Sequence, residues 1–338
     1  MKKLQNCLYI TKSNSYLRKE RETIVVEQEH KKVLQIPAHS LSGLYCFGNV
    51  MLTPQLIGFC GEKKINLSLF TEYGRFLGRF EGHYSGNVLL RRAQYRLADN
   101  EVENVRVGKV IIGAKIANSR QILMREIRNY GQNNSLTQAI KQLADCLRRV
   151  ELSENLEILR GIEGEAASIY FSSLKYLIHT DSFSFSGRVK RPPTDPVNAL
   201  LSFTYTILAQ ECGSALSGVG LDPYVGFLHR DRPGRMSLAL DILEEFRAWW
   251  ADRFVLTLLN RKQLGSGDFK KEVSGAVRLT SEARKIYLTA FQAKKQEEIL
   301  HPFLNEKVPI GLLPHCQALL LARHLRNDLE YYPPFVVK

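Results

Sequence analysis

Hydrophobic and polar positions divide the chain into two regimes. Up to about residue 80 the apolar residues come in short, β-branched runs: TIVVEQ, KVLQIP and VMLTPQLIGFC. KINLSLF alternates Ile65, Leu67 and Leu69 with Asn66 and Ser68, the period-2 signature of a half-buried strand. Turn signals separate the runs, with Gly61 before Glu62-Lys63-Lys64 and Tyr73-Gly74-Arg75 before FLGRF. Strands with no helix between them predict a small antiparallel β domain, sheet or sandwich, over residues 1–80. EGHYSGN, residues 81–87, reads as the linker.

From Val88 the apolar spacing turns helical and predicts a larger all-α domain over 88–338, giving an α+β chain. VRVGKVIIGAKIANSRQILMREIRNYG stops at Gly131, SLTQAIKQLADCLRRV opens at Ser135, and SENLEILRGIEGEAASIYFSSLKYLI opens at Ser153. VKRPPTDP breaks the pattern before a helix that starts at Asp195-Pro196. In GLDPYVGFLH, Asp222 as N-cap and Pro223 in the first turn predict a short helix delivering His229 at its end. Another helix follows from near Ser237, with Leu240, Ile242, Leu243, Phe246 and Trp250 as its core face. Internal repeats and low-complexity segments are absent.

Charge narrows the field. Lys and Arg number 47 against 34 Asp and Glu, a net charge of +13, which favours a polyanionic partner, nucleic acid being the commonest. Six scattered cysteines without a C-x-x-C pair read as reduced thiols of a cytoplasmic protein. The N-terminal MKKLQNCLYITKSNSYLRK lacks a signal peptide's apolar core, and no uncharged apolar run reaches bilayer length, so no membrane partner is expected.

The chemistry concentrates in HRDRPGRMSLALDILEEFR, residues 229–247. Asp241, Glu244 and Glu245 are neighbours at i, i+3 and i+4 on one helix, either a solvated acidic face or part of a site. His229 lies just upstream, and Arg230, Arg232 and Arg235 lie beside it, as around a phosphate. Glu165 stands among Gly164, Ala166, Ala167 and Ile169, and is read as either solvent-exposed or partly buried with a partner. Glu163, two residues away and on another face, is set aside as a decoy. Two carboxylates and an imidazole converging from separate helices would suit Mg²⁺ or Mn²⁺.

GIEGEAASIYF, RPPTDPVNALLSFTYTIL, GLDPYVGFLHRDRPGRMSLALDILEEFR and GAVRLTSEARKIYLTAFQAKK together resemble the CRISPR-associated adaptation integrases, and the ending YYPPFVVK is similar to their type I-C branch. The resemblance implies a metal-dependent DNA endonuclease and integrase that inserts fragments into a CRISPR array by 3′-OH transesterification at the leader–repeat junction. It implies Glu165, His229 and Glu244 as metal ligands, Asp241 as a further catalytic acid beside them or an alternative ligand, and Glu245 as a surface neighbour. Arg232 and Arg235 become candidates for the scissile phosphate; Arg261, Lys262, Arg278 and Arg284, with Lys270, Lys271, Lys285, Lys294 and Lys295, become candidates for the DNA backbone, although a solvated helix face also explains many of them. Asn198 and Tyr205 belong to the motif as a loop-orienting or core residue. Implied partners are double-stranded DNA with 3′-OH ends, CRISPR repeat DNA, a second copy joined through the β domain, and a small adaptation protein bridging two dimers. Two rivals remain: a non-enzymatic basic DNA-binding scaffold and an RNA-processing nuclease.

Overall fold

The computed structural model describes residues 4–80, 82 and 88–337, so the expected linker 81–87 lies outside the described residues apart from Gly82. The N-terminal strands are β1 (Asn6–Ile10), β2 (Ser15–Glu20), β3 (Thr23–Gln28), β4 (Lys31–Pro37), β5 (Leu41–Phe47), β6 (Val50–Leu52), β7 (Asn66–Phe70) and β8 (Phe76–Phe80), with helix α1 (Pro54–Glu62) between β6 and β7. They form two four-stranded sheets, ordered β1-β5-β7-β8 and β4-β3-β2-β6. The expected antiparallel arrangement holds for β2–β3, β3–β4 and β7–β8, but β1–β5, β5–β7 and β2–β6 are parallel, so both sheets are mixed. For β5–β7 the crossover is carried by α1, hidden in a run that reads as strand. Thr53 caps it by accepting from Leu56 N at 3.2 Å, Pro54 occupies its first turn, and Leu56, Phe59 and Cys60 are buried at i, i+3 and i+4.

β5 is buried on both faces and divides two cores. Leu44 and Cys46 point into a cluster with Leu17, Ile24, Leu56 and Phe59. Tyr45 and Phe47 face the other way, and the period-2 alternation joins them to the core of the helical region. There Phe47 stacks on Phe70 at 4.8 Å and meets Phe203 at 6.0 Å, and Phe203 meets Tyr287 edge-on at 4.9 Å.

The second region holds α2 (Val88–Ala98), α3 (Glu101–Tyr130), α4 (Asn134–Leu152), α5 (Leu156–Ser173), α6 (Pro196–Val219), α7 (Ser237–Phe246), α8 (Arg253–Asn260), α9 (Ser281–Gln296) and α10 (Leu313–Leu325). It is not all helical: β9 (Phe269–Lys271) pairs with β10 (Val277–Leu279), and β11 (Glu298–Leu300) with β12 (Lys307–Pro309). Gly131 ends α3 at φ +95°, and Asp195 caps α6 by accepting from Asn198 N at 2.8 Å. The starts of α4 and α5 belong to Asn133 and Asn155 rather than Ser135 and Ser153. Asn133 and Asn155 accept from the N–H groups three residues on, whereas the Ser153 hydroxyl donates to Val150 O.

The short helix expected before His229 does not form. The N–H groups of Phe227, Leu228 and His229 all donate to the Asp241 carboxylate, at 2.7, 3.1 and 3.1 Å, and so are lost to a helical ladder. Asp222 instead accepts from Tyr224 N at 2.8 Å, a turn rather than a cap. Gly226 is required here, since a Cβ would stand 2.7 Å from Asp241 Oδ2. After α7 the chain continues through a π-helical turn, Arg247–Asp252, into α8. Such turns recur at functional sites because they re-aim successive side chains.

Candidate active site

α3, α5, α7 and the loops 186–193 and 226–236 enclose a cavity of about 150 Å³, lined by Lys115, Glu163, Tyr170, Arg188, Lys190, His229, Glu244, Arg247 and Asp252 among others. A wider recess of about 330 Å³ adjoins it and adds Arg160, Arg230, Arg232 and Arg235 to the Glu163–His229–Glu244 edge. A three-residue group of His, Cys, Asp or Glu side chains close enough to hold a metal is absent among the described residues.

His229 is fixed from behind. Its Nδ1 lies 2.6 Å from Asp241 Oδ1, and a carboxylate only accepts, so Nδ1 carries the hydrogen. Nε2 is left as the free lone pair, 3.9 Å from Glu244 Oε1. Asp241 is wholly buried and accepts from three backbone N–H groups besides the ring, so it orients the imidazole and has no oxygen facing the cavity edge.

Glu244 is the inward carboxylate of α7. Burial pushes its pKa up, but Arg247, Lys115 and His229 outweigh burial and hold it down at about 2. Lys115 Nζ lies 2.8 Å from Glu244 Oε2, and Arg247 Nε lies 3.0 Å from the same oxygen. Lys115 also pairs with Glu163, so one ammonium bridges the two carboxylates.

Glu163, not Glu165, is the α5 acid at this cavity. Glu165 is about half exposed and pairs with Arg149 of α4 at 2.7 Å, away from the cavity lining. The buried stripe of α5 explains the difference: Leu159, Ile162, Ala166, Tyr170 and Ser173 face inward. At about 100° per residue Glu163 flanks that stripe and Glu165 turns away from it. The signal was present as Glu163, Ala166, Ala167 and Tyr170 at i, i+3, i+4 and i+7, all of which line the cavity.

Glu245 is also misplaced by the sequence reading. It is fully buried, accepting from Tyr332 Oη at 2.5 Å, Phe335 N at 2.7 Å and Gln317 Nε2 at 2.8 Å, and burial pushes its pKa up to about 7 against those bonds. Sequence reasoning missed Lys115, Arg188, Lys190, Arg247 and Asp252 as cavity residues. They come from three elements, and their convergence has no local signature. Tyr205 is more than a core filler: its hydroxyl donates to Asp252 at 2.5 Å, and the guanidinium groups of Arg188 and Arg247 lie over its ring, at 5.4 and 4.7 Å.

Arg232 and Arg235 stand at the recess mouth, where Arg235 donates to Arg230 O. Arg261 lies at a separate cleft with Arg125, Arg253 and Lys294, and Lys262 is exposed in the turn after α8. The remaining cations correct the picture of an open basic face. Arg284 is only 4% exposed and sits over the Phe47 ring. Lys295 is buried against Glu211 at 2.6 Å, and Arg278 pairs with Glu272 at 2.6 Å. Lys270, Lys271 and Lys285 are exposed, and all six cysteines are free thiols.

The family profile described as CRISPR associated protein Cas1 matches residues 8–293. A CRISPR-associated endonuclease Cas1 of Chlorobaculum tepidum is 47% identical, covering 99% of both chains, and one of Rhodospirillum rubrum is 47% identical over 100% of both. A solved Cas1 protein from Thermotoga maritima superposes with a TM-score of 0.82 at 25% identity, covering 95% of this chain and 97% of that one. A casposase bound to its integration product shares the fold, with a TM-score of 0.86 at 21% identity over 97% and 92% of the two chains. With a matching profile over most of its length and relatives aligned end to end, the chain belongs to the Cas1 family of CRISPR-associated endonucleases.

Proposed function

We propose that this chain is a divalent-metal-dependent DNA endonuclease and integrase that joins DNA fragments to a CRISPR array, through attack of a fragment 3′-OH on a phosphodiester at the leader–repeat junction. The observation that carries the reading is one cavity holding Glu163, His229 Nε2 and Glu244 beneath an arginine rim. The donor set fits Mg²⁺ or Mn²⁺: two carboxylates and an imidazole whose free nitrogen is chosen by Asp241. Glu163, His229 and Glu244 would hold the ion, with Lys115 giving up its place between the carboxylates. When bound, the ion supplies Lewis-acid stabilisation of charge developing on the phosphate.

The protein's own groups do the rest. Asp241 keeps the imidazole in one tautomer and one orientation. Arg247 keeps Glu244 ionised at neutral pH despite its burial. Arg232 and Arg235 at the recess mouth hold the approaching backbone without reading sequence. In strand transfer the fragment's attacking 3′-oxygen forms a bond to phosphorus while the bond from phosphorus to the leader's 3′-oxygen breaks, freeing a leader 3′-OH and joining the fragment to the repeat's 5′ end, so the phosphodiester count is conserved. With water as nucleophile the same site is a nuclease. Dimerisation through the β region, bridging by a small adaptation protein, a cytoplasmic setting and the type I-C branch complete the proposal. None of the described helices is long and apolar enough to cross a membrane.

The test is joining of a short 3′-OH duplex to a plasmid carrying the repeat, with the small partner present, in Mg²⁺, Mn²⁺ or EDTA. Wild type joins only with metal. Glu163→Ala and His229→Ala lose at least about a hundredfold in rate, while Glu165→Ala stays within about threefold. Loss with Glu165→Ala but not Glu163→Ala would return the α5 ligand to Glu165. Binding without joining in either metal would favour the scaffold reading, and cleavage of RNA alone the RNA-nuclease one.

A further inference from the structure

The cations facing the catalytic cavity are committed to protein partners with one exception. Lys115 bridges Glu163 and Glu244. Arg247 pairs with Glu244 and covers Tyr205. Arg188 donates to Asn198 Oδ1 and Val189 O, both at 2.8 Å, and to Ser202 Oγ at 3.0 Å. Among the described residues no hydrogen bond or ion pair engages the ammonium of Lys190, although it lines the cavity with Glu163, His229 and Glu244. Partial burial, then Arg247, Lys115 and Arg188, push its pKa down against the weaker pull of Glu163, so this charge still stands in a net cationic setting that a further anion would relieve.

The backbone leading to Lys190 is held from below by a fully buried side chain. Asn198 accepts from Val189 N at 3.0 Å as well as from Arg188, and donates to Gly187 O at 2.8 Å. Asp195 in turn accepts from Asn198 Nδ2 at 2.5 Å, which fixes the amide's orientation. On the far side Val277 N donates to Pro193 O at 2.8 Å. The loop is thus clamped on both flanks of Lys190, which gives the RPPTDPVN motif a purpose beyond starting α6. A clamped loop holding an unpaired lysine over two carboxylates and an imidazole is arranged for an anion that arrives with the substrate.

We propose that Lys190 is a catalytic residue whose ammonium contacts a non-bridging oxygen of the scissile phosphodiester, and that Asn198 is the positioning residue that holds its loop. The assignment rests on the phosphodiester chemistry proposed above. It divides the work among the cations: Lys115 and Arg247 serve the carboxylates, Arg232 and Arg235 the flanking backbone, and Lys190 the reacting phosphate.

The experiment compares wild type, Lys190→Met, Lys190→Arg, Asn198→Ala and the Lys190→Met/Asn198→Ala double variant. Joining rates are measured with metal, and thermal melting checks the fold. Affinity in EDTA is then measured for DNA with either a normal phosphate or a neutral methylphosphonate at the linkage mapped as the wild-type reaction site. Lys190→Met is expected to lose about tenfold to a hundredfold in rate with unchanged melting, the size of one charge-assisted contact, and Lys190→Arg to retain more. The methylphosphonate weakens wild-type binding severalfold but leaves Lys190→Met nearly unaffected, and the double variant is no slower than Lys190→Met. A Lys190→Met rate within about twofold of wild type, or equal sensitivity of both proteins to the neutral linkage, overturns the assignment. Wild type that joins nothing overturns the functional reading itself, and Lys190 with it.

Discussion

Asp252 and Glu244 face one cavity with opposite titration behaviour. Asp252 is buried in the π-helical turn, and burial pushes its pKa up to about 6 against the hydrogen bond from Tyr205, the neighbouring Tyr170 hydroxyl and the charges of Arg247 and Arg188. Glu244, nearer the cations, is held at about 2. Environment sets two carboxyl groups apart, keeping one firmly ionised and the other within reach of protonation. The folded pKa of Asp252 lies above its ordinary value of 3.8, so its contribution to stability is fully present below about pH 3.8 and is lost as pH rises through about 6. Across that window the loss is at most about 3 kcal/mol. Asp252→Asn cannot titrate yet still accepts from Tyr205. It is therefore expected to gain stability relative to wild type between pH 4 and 7, read from urea midpoints at each pH. Parallel pH profiles for the two proteins would show that Asp252 is not the group responsible.

At the scale of elements, the C-terminal segment fastens α7, the helix that carries Glu244. Phe335 is fully buried against Phe246 at 5.5 Å and Trp249 at 5.1 Å. Asn118 of α3 donates to Glu245 O at 2.9 Å and Phe335 O at 2.8 Å, and accepts from Val337 N at 3.1 Å. One amide therefore ties α3, which carries Lys115, to α7, which carries Glu244. Phe335→Ala leaves a cavity at that junction and is expected to cost about 3–5 kcal/mol, measured by denaturant unfolding, with joining activity falling along with it. A loss below about 1 kcal/mol would mean the segment merely rests on the surface. Such ties explain what the sequence could and could not convey. The C-terminal end of α3 and the start of α6 are legible, because Gly131 and Asp195-Pro196 act on their immediate neighbours. His229, Asp241 and Glu244 are legible as a group because one loop and one helix carry them. Glu165 and Glu245 are misread because their faces depend on partners outside their own helices: Arg149 of the preceding helix for the first, the distant C-terminal segment for the second. α1 is misread because an apolar run of that length suits a strand as well as a helix, and only the crossover between parallel strands decides.

Across the whole molecule, a net charge of +13 overstates the surface available to a polyanion. Lys295 donates to Cys7 Sγ at 3.3 Å and pairs with Glu211 at 2.6 Å, joining α9 and α6 to β1, and that charged environment raises its pKa despite burial. Arg284 lies under the aromatic ladder that links the sheet to the helices. These cations belong to the seam between the β1-β5-β7-β8 sheet and the helices, whereas Arg232 and Arg235 stand at the open recess. Two kinds of basic residue should therefore separate in one pair of measurements. Arg232→Gln is expected to lower the slope of log affinity against log salt by about one, the signature of one lost phosphate contact, with little effect on stability. Lys295→Met removes the same formal charge but leaves Glu211 buried without its partner, so it should cost about 3–5 kcal/mol and leave the salt slope unchanged. Adding Glu211→Gln to Lys295→Met should recover part of that cost, because the stranded carboxylate is then gone. If Lys295→Met instead changed the salt slope and left stability intact, the seam would be open to DNA, and the division between structural and DNA-facing charge would fail.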